Sequence, residues 1–222
     1  MNLPDGLLSE AWILASWALF GLVLLVAVWK APWREFLAVG ERQHVFLGAC
    51  LVLVLLWSLR ADVTPGVSIH FLGMTAFTLM FGWALAVLAS AVILAGYSFL
   101  GMAGWEALAL NALVAGVLPA LVSDVVRRVV YMYLPHNFFI YIFLSAFAGA
   151  MLAALSAALA LSWVMWGSGL YDWSHLSHDY LRYLPLILFP EGVLNGMLIT
   201  TFVVIRPQWV RSFDDADYIV GK

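Results

Sequence analysis

The sequence predicts an all-helical, polytopic membrane protein, and three observations carry that prediction. Of 222 residues, 65% are hydrophobic and only 10% are charged, against roughly 25% charged in soluble domains. Apolar stretches long enough to cross a bilayer recur along the whole chain. The polar segments between them are too short to build a separate soluble domain. The chain therefore reads as a short N-terminal segment (residues 1–10), one helical transmembrane domain (11–205) and a tail (206–222). The lone Cys50 lies in an apolar run, so no disulfide framework exists within one chain. No nucleophile–base arrangement, phosphate loop or haem motif is present, so neither an enzyme nor an organic cofactor is expected. The lipid bilayer is the partner that composition implies; nucleic acid has no support.

The elements follow in order. The first span, Ala11 to Trp29, carries no charge. The loop KAPWREFLAVGERQ leads to a second span, His44 to Leu59, and RADVTPGVS reads as a turn-rich loop. From Ile69 to Gly101 the sequence is apolar for 33 residues, about 50 Å as a helix. That overshoots a hydrocarbon core of about 30 Å. Gly73 and Gly82 punctuate the run, dividing it into a short segment (His70 to Phe81) and a full span (Gly82 to Leu100). A fifth span covers Trp105 to Val122 and a sixth Phe138 to Trp163. The polar loop GSGLYDWSHLSHDYLR precedes the seventh, Tyr183 to Ile205, which Arg206-Pro207 ends. Trp29, Trp33, Trp163, Trp166 and Trp209 flank spans and read as interfacial belts.

Charge bias supports seven segments with the N-terminus outside. Lys30, Arg34, Arg42, Arg127, Arg128, Arg206, Arg211 and Lys222 then lie inside, and only Arg60 and Arg182 outside, eight against two. A single crossing over Ile69–Gly101 would give four inside and six outside. The opening MNLPDGLLSE has two acids and no Lys or Arg, unlike a secretory signal, and is easily translocated. Leu3, Leu7 and Leu8 are apolar, and Pro4-Asp5-Gly6 supplies a turn.

His70 is the first candidate for chemistry, because broken or half-length helices are where membrane transporters place their sites; the bland reading is a helix-entry histidine bonded to a carbonyl. Glu191, a carboxylate within the last span, reads as a structural hydrogen-bonding group, so Glu191→Gln is expected to keep the hydrogen-bonding shape and leave binding at the site largely intact. Asn111 reads as packing glue, and Glu106 as a helix-start acid. His175 and His178, with Asp172 and Asp179, have helical metal-ligand spacing in a solvated loop. His44 and His136 border spans and read as interfacial. In the sixth span Ser145, Gly149, Ala153 and Ala157 recur every four residues, with Ala146, Ala150, Ala154 and Ala158 beside them. This smooth face suits close packing inside the bundle, with a docking face for a partner as the second reading.

MNLPDGLLS at the N-terminus, GVSIHFLG about 65 residues later and FPEGVLNGML in the last span together resemble the CbiM/NikM family. These are the substrate-binding membrane components of cobalt and nickel energy-coupling factor transporters. The resemblance implies a bacterial-type inner-membrane location, a transmembrane coupling protein and ATPase subunits as partners, and uptake of a divalent transition metal. It also implies a tucked N-terminus whose ligands are Met1, position 2 and His70, with Ser68, Asn111 and Glu191 in support. An N-terminal amine and the next backbone nitrogen close a five-membered chelate ring, and planar nitrogen coordination suits nickel(II) or copper(II). Position 2 is Asn rather than the family's His. Its amide oxygen closes the same ring with a harder, weaker donor, leaving three outcomes: weaker nickel or cobalt binding, another ion, or a metal-free plug in which Asn2 bonds His70. The rival class is a stand-alone scaffold or an accessory subunit of a metal-enzyme assembly. Topology is directly testable: cysteines introduced at residues 1 and 222 should label from opposite faces of the membrane, and labelling from one face overturns the seven-segment arrangement.

Overall fold

Helix α1 (Glu10–Lys30) leads through the short α2 (Trp33–Ala38) to α3 (Gly40–Ser58). Two antiparallel strands, β1 (Ala61–Thr64) and β2 (Val67–Ile69), form a hairpin ahead of α4 (Met74–Phe81) and α5 (Trp83–Phe99). Then come α6 (Leu108–Tyr133), α7 (Phe138–Gly167), the short α8 (Trp173–Asp179), α9 (Pro185–Ile205) and a last turn, α10 (Asp215–Tyr218). The structure, a computed structural model, describes residues 3, 5–64 and 67–219, with the backbone alone over the two strands. Among these residues α1, α3, α6, α7 and α9 are long and apolar enough to cross a membrane, and α5 is a shorter apolar helix.

The long apolar run does divide. Gly73 begins α4 with φ 64° and Gly82 ends it with φ 89°, left-handed values that glycine adopts without steric cost. A side chain at Gly73 would also place its Cβ 2.8 Å from Leu53 on α3. Other boundaries differ from the sequence reading. The segment read as a loop after α3 forms the hairpin, and the first loop contains α2. The fifth span begins three residues later than expected, at Leu108, and runs well past Val122 to Tyr133. Its charges do not end it because Asp124 pairs with both Arg127 (2.9 Å) and Arg128 (2.7 Å), at the helical offsets where opposite charges meet. Within it, a π-helical turn at Leu113–Val117 stands just before Pro119, whose missing N–H interrupts the α register. A second π stretch, Tyr141–Ala148, opens α7, which continues to Gly167 rather than ending at Trp163.

The small-residue face of α7 is buried from Ser145 to Ala158, and α7 packs against α6 and α9. On α9, Gly192 completes this close approach: a Cβ there would sit 2.8 Å from Met151 and 3.1 Å from the Phe147 carbonyl. The face is thus used inside the bundle, and it offers no free docking surface.

Helix α4 imposes the strictest requirement. All eight of its residues are buried, yet a helix leaves its first N–H and last C=O groups without internal partners. The chain of α9 and its continuation supplies them. Asn195 Oδ1 accepts from the Ala76 N–H (2.8 Å). At the far end, the Leu79 carbonyl accepts from the Ser212 N–H (3.1 Å) and hydroxyl (2.8 Å), and the Met80 carbonyl from the Arg211 N–H (3.1 Å). Arg211 is itself held by Glu35 on α2 (3.0 Å), and Trp209 donates to Glu41 on α3 (2.8 Å). The hydrogen bond from Arg211 draws the Glu35 carboxyl below its ordinary pKa. Asn195→Ala would orphan a buried N–H; it should cost about 1–3 kcal/mol, read as a lower Tm in detergent.

Candidate functional site

His70 sits between β2 and α4, outside any helix, and is 7% exposed. Its Nδ1 lies 3.0 Å from the Phe71 carbonyl. A carbonyl only accepts, so Nδ1 carries the proton and the neutral ring keeps its lone pair on Nε2. Burial in a low-dielectric surrounding disfavours the charged imidazolium, so the ring is neutral. A ring nitrogen donated to a backbone carbonyl, with the other left bare, is the usual preparation of a metal-binding histidine.

The loop that carries His70 is braced from two helices. Trp57 on α3 donates its indole N–H to the Leu72 carbonyl (2.9 Å), and its ring lies 5.7 Å from the imidazole. Glu191 on α9, 2% exposed, accepts from the Leu72 N–H (2.9 Å) and the Gly73 N–H (2.8 Å). Asn195 donates to the same carboxylate (2.8 Å) and to the Glu191 carbonyl (2.8 Å). Three N–H donors converge on one carboxylate at the start of α4, where the helix dipole also favours negative charge. Glu191 therefore serves the site by fixing the His70 loop.

The N-terminal segment enters the bundle. Leu3 is 1% exposed; its N–H donates to Asn111 Oδ1 (2.8 Å) and its carbonyl accepts from Asn111 Nδ2 (3.1 Å). Asn111 is thus a clamp on the N-terminal chain rather than glue between helices. The Asp5 carboxylate accepts from the N–H groups of Trp105, Glu106 and Ala107 (3.0, 2.9 and 3.2 Å). A Cβ on Gly104 would fall 1.8 Å from Asp5 Oδ1, so only glycine admits this contact. Glu106 accepts from the Gly6 N–H (3.2 Å), a tie beyond its expected role at the helix start. Met1 and Asn2 lie outside the described residues, as does the Ser68 side chain; the Ser68 backbone pairs with Asp62 in the hairpin.

The histidine pair on α8 does not converge. His175 Nδ1 pairs with Asp179 (2.9 Å) and its ring stacks on Tyr171, whereas His178 Nδ1 bonds the Ser174 carbonyl (2.8 Å). Among the described residues no three of His, Cys, Asp and Glu are grouped to hold a metal. Sequence reasoning missed Asn195, although it stands one helical turn beyond Glu191 in the same apolar span, and it missed Trp57 and Asp5.

A half-length helix buried and braced within a bundle of apolar spans defines a multi-pass membrane protein with the broken-helix architecture that transporters use. The family described as the cobalt uptake substrate-specific transmembrane region, CbiM, matches residues 2–209. Two crystal structures, of a truncated transition metal transporter and of a transition metal transporter, share the fold, each with TM-score 0.75 at 17% identity. Each comparison covers 92% of this chain, with 98% and 93% of the other chain respectively. No curated protein matches. The chain belongs to the CbiM family, the substrate-binding components of cobalt and nickel energy-coupling factor transporters. It is a transporter component, not an enzyme.

The bracing changes the expectation for Glu191→Gln. An amide accepts at one oxygen only, so its NH₂ would face the Leu72 N–H or the opposing Gly73 and Asn195 donors. The substitution should weaken transition-metal binding about tenfold and Glu191→Ala should weaken it more, measured by cobalt titration of stable, detergent-solubilised protein. Unchanged affinity in Glu191→Gln would show that the carboxylate's second acceptor is not needed.

Proposed function

We propose that this chain captures a nickel(II) or cobalt(II) ion at its outer face, with His70 Nε2, the Met1 amine and the Asn2 backbone nitrogen as donors. The Asn2 side chain stands beside them, and copper(II) also suits such a site. Residues 1–10 act as the ligand-bearing plug, 11–205 as the transmembrane domain in seven segments, and 206–222 as the cytoplasmic tail. Release into the cell is powered by ATPase subunits acting through a transmembrane coupling protein, in a bacterial-type inner membrane. Ser68, Asn111 and Glu191 support the site.

The observation that carries this reading is the tautomer of His70: Nδ1–H is committed to the Phe71 carbonyl, so the bare nitrogen is Nε2. The buried Leu3, clamped by Asn111, supports a chain start drawn into the bundle, and Asp5 fixes its entry. Asn2 in place of histidine removes one imidazole, so the site is expected to be weaker than a two-imidazole site and to gain from its restoration. The test is metal titration of protein with an untagged N-terminus. His70→Ala and addition of one residue before Met1 should each abolish stoichiometric nickel or cobalt binding, and Asn2→His should tighten it. Binding that survives the N-terminal extension overturns the chelate.

A further inference from the structure

The His70 loop borders a small cavity that the metal ligands above do not account for. It is lined by His70, Leu72, Tyr180 and Glu191, with Ala154 and Ala158 of α7 and the first turn of α9 closing it. At about 10 Å³ it has room for about one water molecule, which needs two to four polar partners. His70, Glu191 and Tyr180 are the lining residues with polar side chains.

Tyr180 is the unexplained member. It follows α8 and is 2% exposed, yet its hydroxyl has no hydrogen-bond partner among the described residues. Buried tyrosine hydroxyls normally have one, and leaving one unpaired costs about 1–3 kcal/mol. Nothing in the packing requires a hydroxyl here, because a phenylalanine would fill the same apolar volume. The rest of the loop holds the ring in place: the Tyr180 N–H donates to the Leu176 carbonyl (3.2 Å), while His175 is fixed by Asp179 and Tyr171.

We propose that Tyr180 is a positioning residue of the His70 site: its hydroxyl hydrogen-bonds a water molecule that occupies this cavity as a ligand of the bound metal. The loop from Asp172 to Leu184 is then the cover of the site, and the oxygen donor it orients compensates in part for the imidazole absent at Asn2. This rests on the reading of His70 as a metal ligand.

The test compares wild type and Tyr180→Phe as full chains in detergent, with nickel(II) alone and cobalt(II) alone as probes. Nickel affinity should fall about tenfold, and the visible ligand-field absorption of the cobalt-loaded protein should shift. The Tm of the metal-free protein should stay the same or rise, since the variant loses only an unpaired hydroxyl; the Tm of the loaded protein should fall. A purely structural tyrosine would lower both Tm values together and leave the spectrum alone, which overturns the proposal. Equal affinity and identical spectra overturn it as well. If Tyr180→Phe does not fold, Tyr180→Met, whose flexible apolar chain fills similar space, should give the same loss. Wild type that binds neither ion removes the metal reading itself, and this inference with it, an outcome separate from a wild type that binds and a variant that binds equally.

Discussion

An eight-residue helix buried on every side is the constraint around which the rest of this molecule is arranged. A spanning helix satisfies its polar backbone along its length and leaves its ends in water or headgroups. Helix α4 cannot, because both of its ends lie inside the protein. Unpaired amide groups at such depth each cost several kcal/mol, so the fold must bring donors and acceptors to them. Glu191 and Asn195 serve the start, and the chain just past α9 serves the finish. The close approach of α9 to α7 at Gly192 is part of the same solution, since it sets where Glu191 and Asn195 stand.

The His70 loop inherits its order from that solution. Leu72 and Gly73 are held because the helix beginning one residue later needs its N-terminal groups satisfied, and His70 is two residues further back. The carboxylate therefore works for stability and for the imidazole's orientation at once. This is why a glutamate can be costly to replace here without touching a metal. The N-terminal chain is governed by a separate device, the Asp5 contacts made possible by a bare backbone at Gly104. It enters beside α6, whereas the His70 loop is braced from α3 and α9.

Much of this was legible before any coordinates. Hydropathy and the glycines at 73 and 82 gave the broken helix, because length against bilayer thickness and glycine's left-handed backbone are local properties. The motif around His70 pointed to the loop that Trp57 and Glu191 brace. What pattern could not reveal were partners fixed by long-range packing: that Glu191 reaches the amides at 72 and 73, 118 or more residues away in sequence, or that Asn111 grips Leu3. Asn195 was nearer to being readable, since an acid and an amide one turn apart in an apolar span predict a shared polar task. The overrun of α6 to Tyr133 was not legible because Arg127 and Arg128 read as loop charges, while pairing with Asp124 holds both against the helix.

The double attachment of α4 has a mechanical consequence. Glu191 grips one end of that short helix and Arg211 and Ser212 the other, and all three belong to one nearly continuous stretch of chain. Helix α9 thus behaves as a connecting rod running the depth of the bundle, bolted to a short piston at both ends. A push applied to the tail near Trp209 cannot be absorbed locally, because Glu35 and Glu41 tie that corner to α2 and α3. It must either travel along α9 and carry α4 with it, or break buried hydrogen bonds. Any stroke large enough to do the first would drag the histidine loop out of register with the N-terminal chain, which hangs from a different helix.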